Sequence, residues 1–165
     1  MRGHNGFREA LLLWFPAFIM PVTCIILTLF AGADHELNRF GPWMIAAIAE
    51  ELFFRLFLLK TVLLPRVKPG AAVVLTAVVF AAMHLLNLRN GTPPAAVLPQ
   101  ILCAFCFSVW AGAVVWRKGS IRIPLLAHVL LNLTAVTEGT LPLTAASLIV
   151  LGAGILLMRG DGPER

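Results

Sequence analysis

A chain of 165 residues that is 59% hydrophobic and 13% charged, with a mean hydropathy of +0.90, has too few charges to cover a water-soluble surface, since soluble domains carry about 25% charged residues. Its net charge of +5 would suit a nucleic-acid binder, but the basic residues stand between apolar runs and are not interleaved with aromatics, so they set membrane orientation instead. Composition therefore excludes a soluble enzyme and a nucleic-acid-binding protein. It predicts an all-α polytopic membrane helix bundle of about six transmembrane helices, forming a single domain over residues 1–165.

A membrane span takes about 20 apolar residues. In chain order the spans are expected at residues 9–31, 42–64, 71–88, 95–116, 122–137 and 142–158, the fifth being short. The first has the charged start of a signal peptide in Arg2 and Arg8, and a small-residue stretch at Ala31, Gly32 and Ala33. Its apolar run exceeds the ~7–15 residues of a signal core, so it reads as a retained helix. Asp34, His35, Glu36, Asn38 and Arg39 mark the first break, and Pro65 to Gly70 form a basic turn. Asn90, Gly91, Pro93 and Pro94 form a third break by their turn chemistry. Arg117, Lys118 and Gly119 end the fourth span, and Glu138, Gly139 and Thr140 separate the last two. Residues 159–165 read as a short tail.

Lipid offers backbone groups no partners, so the spans are α-helical. Pro16, Pro21, Pro99 and Pro124 are expected to kink or start helices. Cys24, Cys103 and Cys106 all lie in apolar runs and read as small apolar residues. The CxxC spacing of Cys103 and Cys106 has no second pair or neighbouring histidine to make a zinc or redox site.

A charge at a helix centre costs roughly 2.5–3.5 kcal/mol on insertion scales. The second span nevertheless holds Glu50, Glu51 and Arg55, the third holds His84, and the fifth holds His128 and Asn132. One such residue alone is usually glue between helices. A set spread over three spans marks a shared cavity, since ionisable groups inside a membrane are functional candidates. Glu51 and Arg55 are four apart and share a face, as are His128 and Asn132. Glu50 is turned about 100° from Glu51. An ion pair of Glu51 with Arg55 would leave Glu50 as the free carboxylate, which suits a general base.

Three ordered motifs, Glu50-Glu51-x-x-x-Arg55, Phe80-x-x-x-His84 and His128-x-x-x-Asn132, resemble those of the CAAX-protease and bacteriocin-processing family, which includes the CAAX prenyl protease 2-like enzymes. The resemblance covers about residues 45–135 and looks like a reduced core of larger members. It implies an intramembrane endopeptidase in which Glu50 and His84 activate water while His128 and Asn132 stabilise the oxyanion, with Glu51 and Arg55 in support. The substrate implied is a membrane-anchored protein or peptide cut near its C-terminal anchor, and some members resemble sorting enzymes (myxosortase-like) that trim exported proteins. No cofactor is expected. The alternative is a zinc site of Glu50, His84 and His128 with an open position, which competes with the oxyanion role of His128. A non-enzymatic carrier or an immunity-type binding protein using the same polar cluster is the reading from another class. The absence of a visible inverted repeat disfavours the carrier. Other protease signatures fail: His35-Glu36-Leu37-Asn38-Arg39 begins like HExxH but ends in arginine, and there is no Gly-x-Ser-x-Gly.

Charge asymmetry orients the bundle. Arg2, Arg8, Lys60, Arg66, Lys68, Arg117, Lys118, Arg122, Arg159 and Arg165 fall on one side, and Arg39 and Arg89 on the other. The positive-inside rule then puts both termini in the cytoplasm of a bacterial or archaeal cell and the polar cluster toward the outer leaflet.

Overall fold

The computed structural model describes residues 2–31, 40–134 and 141–159. Helix α1 spans Arg2–Ala31. Helix α2, Phe40–Glu51, runs without a break into a π-helix, Leu52–Leu63. Then come α3 (Pro69–Met83), the one-turn α4 (Leu86–Arg89), α5 (Pro94–Lys118), α6 (Arg122–Thr134) and α7 (Leu141–Arg159). The described residues contain no strand. Four helical stretches are long and apolar enough to cross a membrane: Gly6–Leu27, Pro69–Arg89, Pro94–Lys118 and Pro142–Arg159. The second pass, which carries Glu50, Glu51 and Arg55, is not among them, and α6 is a shorter apolar helix. The chain is thus an all-α polytopic bundle. Most of the polar loop after α1, the break before α7 and the C-terminal tail lie outside the described residues.

Proline and glycine set the helix ends. Pro69 and Pro94 occupy the first helical position of α3 and α5, where a missing N–H costs nothing. Gly119 closes α5 in the left-handed conformation at φ 67°, its N–H bonded to Val115 O at 2.8 Å. Pro16 and Pro21 sit inside α1 and Pro99 inside α5, whereas Pro124 lies in the first turn of α6. The third span is not the single continuous helix expected. It tightens at His84 and Leu85, whose N–H groups bond three residues back, to Ala81 O and Ala82 O. His84 therefore caps α3 instead of lying within it.

The helices surround α5, the most buried of them. Helix α5 packs on α3 and α7, α1 packs on α6 and α7, and α2 packs on α6. Small residues permit the closest approach. A Cβ at Gly154 of α7 would lie 2.8 Å from the backbone of Trp110 in α5, so the two helices meet at backbone distance. The Trp110 indole N–H, which lipid cannot satisfy, donates to Leu12 O of α1 at 3.1 Å. None of the three cysteines forms a disulfide and all are buried, and the Ser147 hydroxyl of α7 donates to Cys103 Sγ at 3.1 Å. The outward faces carry Phe15 and Phe18 of α1 and Val74, Val78 and Val79 of α3, an apolar surface made for lipid.

One end of the bundle is held by charge. Glu9 of α1 pairs with Arg117 and Lys118 of α5 at 3.2 and 3.1 Å, and Lys60 donates to Gly119 O at 3.0 Å. The residues of the three motifs lie away from this end, at the junction of α2 with the π-helix, at the end of α3 and in the second half of α6.

Candidate active site

The site is built where α2 becomes the π-helix. Beyond Glu51 the backbone bonds run five residues back, as Leu64 N–H to Leu59 O at 2.9 Å shows. The wider turn changes which residues share a face. Phe54, Arg55 and Leu59 are buried along it, and Leu63 is partly buried. Glu51, Arg55 and Leu59 thereby form one inward row, while Phe53 and Phe57 face out. Single-turn π-bulges inside helices are frequent at functional sites, and here the π geometry extends over 12 residues.

Glu51 and Arg55 are both fully buried, and Arg55 Nε donates to Glu51 Oε2 at 3.0 Å. Arg55 Nη1 donates to the hydroxyl of Ser108 on α5 at 2.7 Å. The guanidinium carbon lies 5.1 Å from the centre of the Phe80 ring and 5.9 Å from that of Phe107, within cation–π range. Arg55 Nη2 makes no hydrogen bond to the described residues.

The second oxygen of Glu51 accepts from His128 Nδ1 at 3.0 Å. Glu51 is thus held from two sides, by α6 as well as by its own helix. His128 is 6% exposed and lies between the two carboxylates: its Nε2 stands 3.6 Å from Glu50 Oε2. Glu50 remains 41% exposed. Adjacent carboxylates in one sequence therefore occupy different environments. One is locked in the protein and the other opens outward. The ring of His128 also packs on Phe107 at 5.2 Å and, edge to face, on Phe80 at 5.8 Å.

His84 sits one helical turn beyond Phe80, with ring centres 5.5 Å apart. Its Nδ1 is 3.2 Å from Phe80 O. A carbonyl only accepts, so Nδ1 carries the hydrogen and the neutral ring keeps its lone pair on Nε2. His84 is within electrostatic range of Glu50 and His128 without a direct bond to either. Asn132 Nδ2 donates to Trp43 O at 3.2 Å, using one of its two amide hydrogens to tie α6 to the start of α2. Phe80 joins α3, the helix of the second motif, to the other two by touching Arg55 and His128, and it also packs on His84 of its own motif.

Among the described residues no three His, Cys, Asp or Glu side chains are placed to hold a metal ion. Glu50, His84 and His128 approach one another as a loose set, and His128 Nδ1 is committed to Glu51. Sequence reasoning did not anticipate three participants: Ser108, Phe107 and the carbonyl of Trp43. All are ordinary residue types for a membrane helix, and no spacing in the sequence distinguishes them.

A helix bundle that buries a carboxylate–imidazole–guanidinium cluster in its membrane-spanning part is a membrane protein built around reactive groups. The type II CAAX prenyl endopeptidase Rce1-like profile matches residues 10–134, and the chain belongs to that CAAX-protease family. All three motifs fall within the matched residues. Neither a curated protein nor a solved structure matches the chain. The family makes it an intramembrane CAAX endopeptidase in general terms.

Proposed function

We propose that the chain hydrolyses a peptide bond near the C-terminal membrane anchor of a substrate protein, with Glu50 as the general base. One observation carries this reading. Glu51 is bound by both Arg55 and His128, so Glu50 is the carboxylate left half-open beside an imidazole. Two carboxylates in different environments take different roles, here a base and a support.

Glu50 takes a proton from a water, whose oxygen forms a bond to the scissile carbonyl carbon. The lone pair on His84 Nε2 accepts the water's second hydrogen and orients it. Negative charge develops on the carbonyl oxygen, where His128, carrying a hydrogen on both ring nitrogens, donates from Nε2 beside the remaining amide hydrogen of Asn132. Collapse breaks the C–N bond, and Glu50 returns its proton to the leaving amine. The set Glu50, Glu51, Arg55 and His128 becomes electrically neutral with one added proton, which suits a water-poor interior.

The reading needs no metal ion. Purified protein is expected to cleave a quenched-fluorescent peptide ending in a prenylated cysteine and three further residues, at the same rate with and without a chelator. No cleavage of this peptide, or of an unprenylated peptide with a C-terminal apolar anchor, would sink the peptidase reading. Loss on chelation that zinc restores would replace it with the Glu50, His84 and His128 zinc mechanism.

The same reading places the site toward the outer leaflet. Lys60, Arg117 and Lys118 gather at one end of the bundle with Glu9 and Gly119, and the positive-inside rule makes that end cytoplasmic. A thiol probe that cannot cross membranes should label Asn90→Cys in intact cells and miss Lys68→Cys. The reverse pattern would put the site on the cytoplasmic side.

A further inference from the structure

We propose that Ser108, in the middle of α5, is a positioning residue that sets the orientation of His128 and holds the proton on its Nδ1 through a chain of three side-chain bonds. The inference deepens the peptidase reading above and rests on it. Ser108 belongs to none of the three motifs. It is fully buried, and its contact with Arg55 at 2.7 Å is shorter than the other polar contacts of the cluster.

Each link constrains the next. The guanidinium is a rigid planar fork. With Nη1 bound to Ser108 and Nε bound to Glu51, its plane is fixed, and the rings of Phe80 and Phe107 close on it. Glu51, with one oxygen on Arg55, presents the other to His128 Nδ1. An imidazole that donates Nδ1–H to a carboxylate keeps Nε2 for the reacting side, here the side of Glu50. Ser108 ends this chain on a helix that bears no reacting group and is packed by both α3 and α7. Its neighbour Phe107 meets the same imidazole from the side. Two consecutive residues of α5 therefore govern His128, one by contact and one through Arg55 and Glu51.

Ser108→Ala leaves Nη1 buried without its acceptor, so the guanidinium is held by Nε alone. The expected result is a fall in kcat of about tenfold for the prenylated peptide, with KM within about twofold of wild type. Ser108→Thr keeps the hydroxyl and should recover most of kcat. Ser147→Ala removes another buried hydroxyl, one that bonds Leu143 O and Cys103 Sγ outside this chain of bonds, and should keep wild-type kcat.

A second readout does not depend on turnover. In 15N spectra of histidine-labelled protein, with His128 assigned by its loss in His128→Gln, wild type and Ser108→Thr should show one species with both ring nitrogens protonated. Ser108→Ala should show a mixture. An inactive wild type with this His128 response would sink the peptidase reading while supporting the Ser108 assignment. If Ser108→Ala does not survive extraction, Ser108→Cys, with only a weak sulfur acceptor, is read the same way. An unchanged His128 spectrum in these variants overturns the proposal whatever the activity. So does an altered spectrum at wild-type kcat.

Discussion

Glu50→Gln should reduce cleavage by roughly a hundred- to ten-thousandfold, the range that a positioned general base contributes, while leaving the fold intact. The substitution keeps the shape of the side chain and removes its ability to take a proton. Glu50 is 41% exposed, and its contact with His128 is long at 3.6 Å. Little packing or hydrogen bonding is lost, so stability should stay within about 0.5 kcal/mol of wild type. The measurement is kcat for the prenylated peptide alongside thermal unfolding in detergent, followed by tryptophan fluorescence. A Glu50→Gln variant with full activity would remove Glu50 from the role of base. A variant that loses activity and melts early would make it a structural carboxylate instead.

Arg55→Ala should act in the opposite way, on stability first and on activity through it. Arg55 is fully buried and ties Glu51 to Ser108, so its removal strands an ionised carboxylate between helices. Breaking one partner of a buried pair costs about 3–5 kcal/mol. For a chain of this length that corresponds to a fall in melting temperature of roughly 6–20 °C. His128 retains Glu51 as a partner but loses the fixed orientation that Arg55 supplies. Arg55→Lys should rescue only part of the loss, because a single ammonium cannot replace the planar fork that reaches Glu51 and Ser108 together. A variant of Arg55→Ala that melts like wild type would show that the pair does not hold the bundle and that Arg55 acts on the reaction alone.

These two outcomes rest on a division between neighbouring residues that sequence could only frame. The i,i+4 spacing of Glu51 and Arg55 made a pair available, and Glu50 was left over by helical geometry. The spacing did not show that Glu51 also receives His128, which lies 77 positions further along the chain. Nor did it show that the second pass widens into a π-helix after Glu51. Apolar runs do not report whether backbone bonds reach four residues back or five, since every outward position is apolar in lipid. The break at His84 escaped for a similar reason. Met83, Leu85 and Leu86 are all acceptable in a continuous span, and only the backbone bonds to Ala81 and Ala82 reveal the cap.

Membrane residence, the helical class and the presence of six polar residues within the apolar runs followed from sequence alone, whereas of the six spans expected, four among the described residues are long and apolar enough to cross a membrane. The cause is the cost of charge in hydrocarbon, which leaves polar residues in a span only where something retains them. What tertiary structure decided is which of those residues touch. His128 lies between two carboxylates, Asn132 bonds the backbone at Trp43, and His84 turns its Nδ1 to Phe80. It also recruited Ser108 and Phe107 from a helix without a motif. Contacts between helices depend on the rotation of each helix about its axis. That rotation is set by close packing such as Gly154 against Trp110, a property of pairs of surfaces that no single run of residues contains.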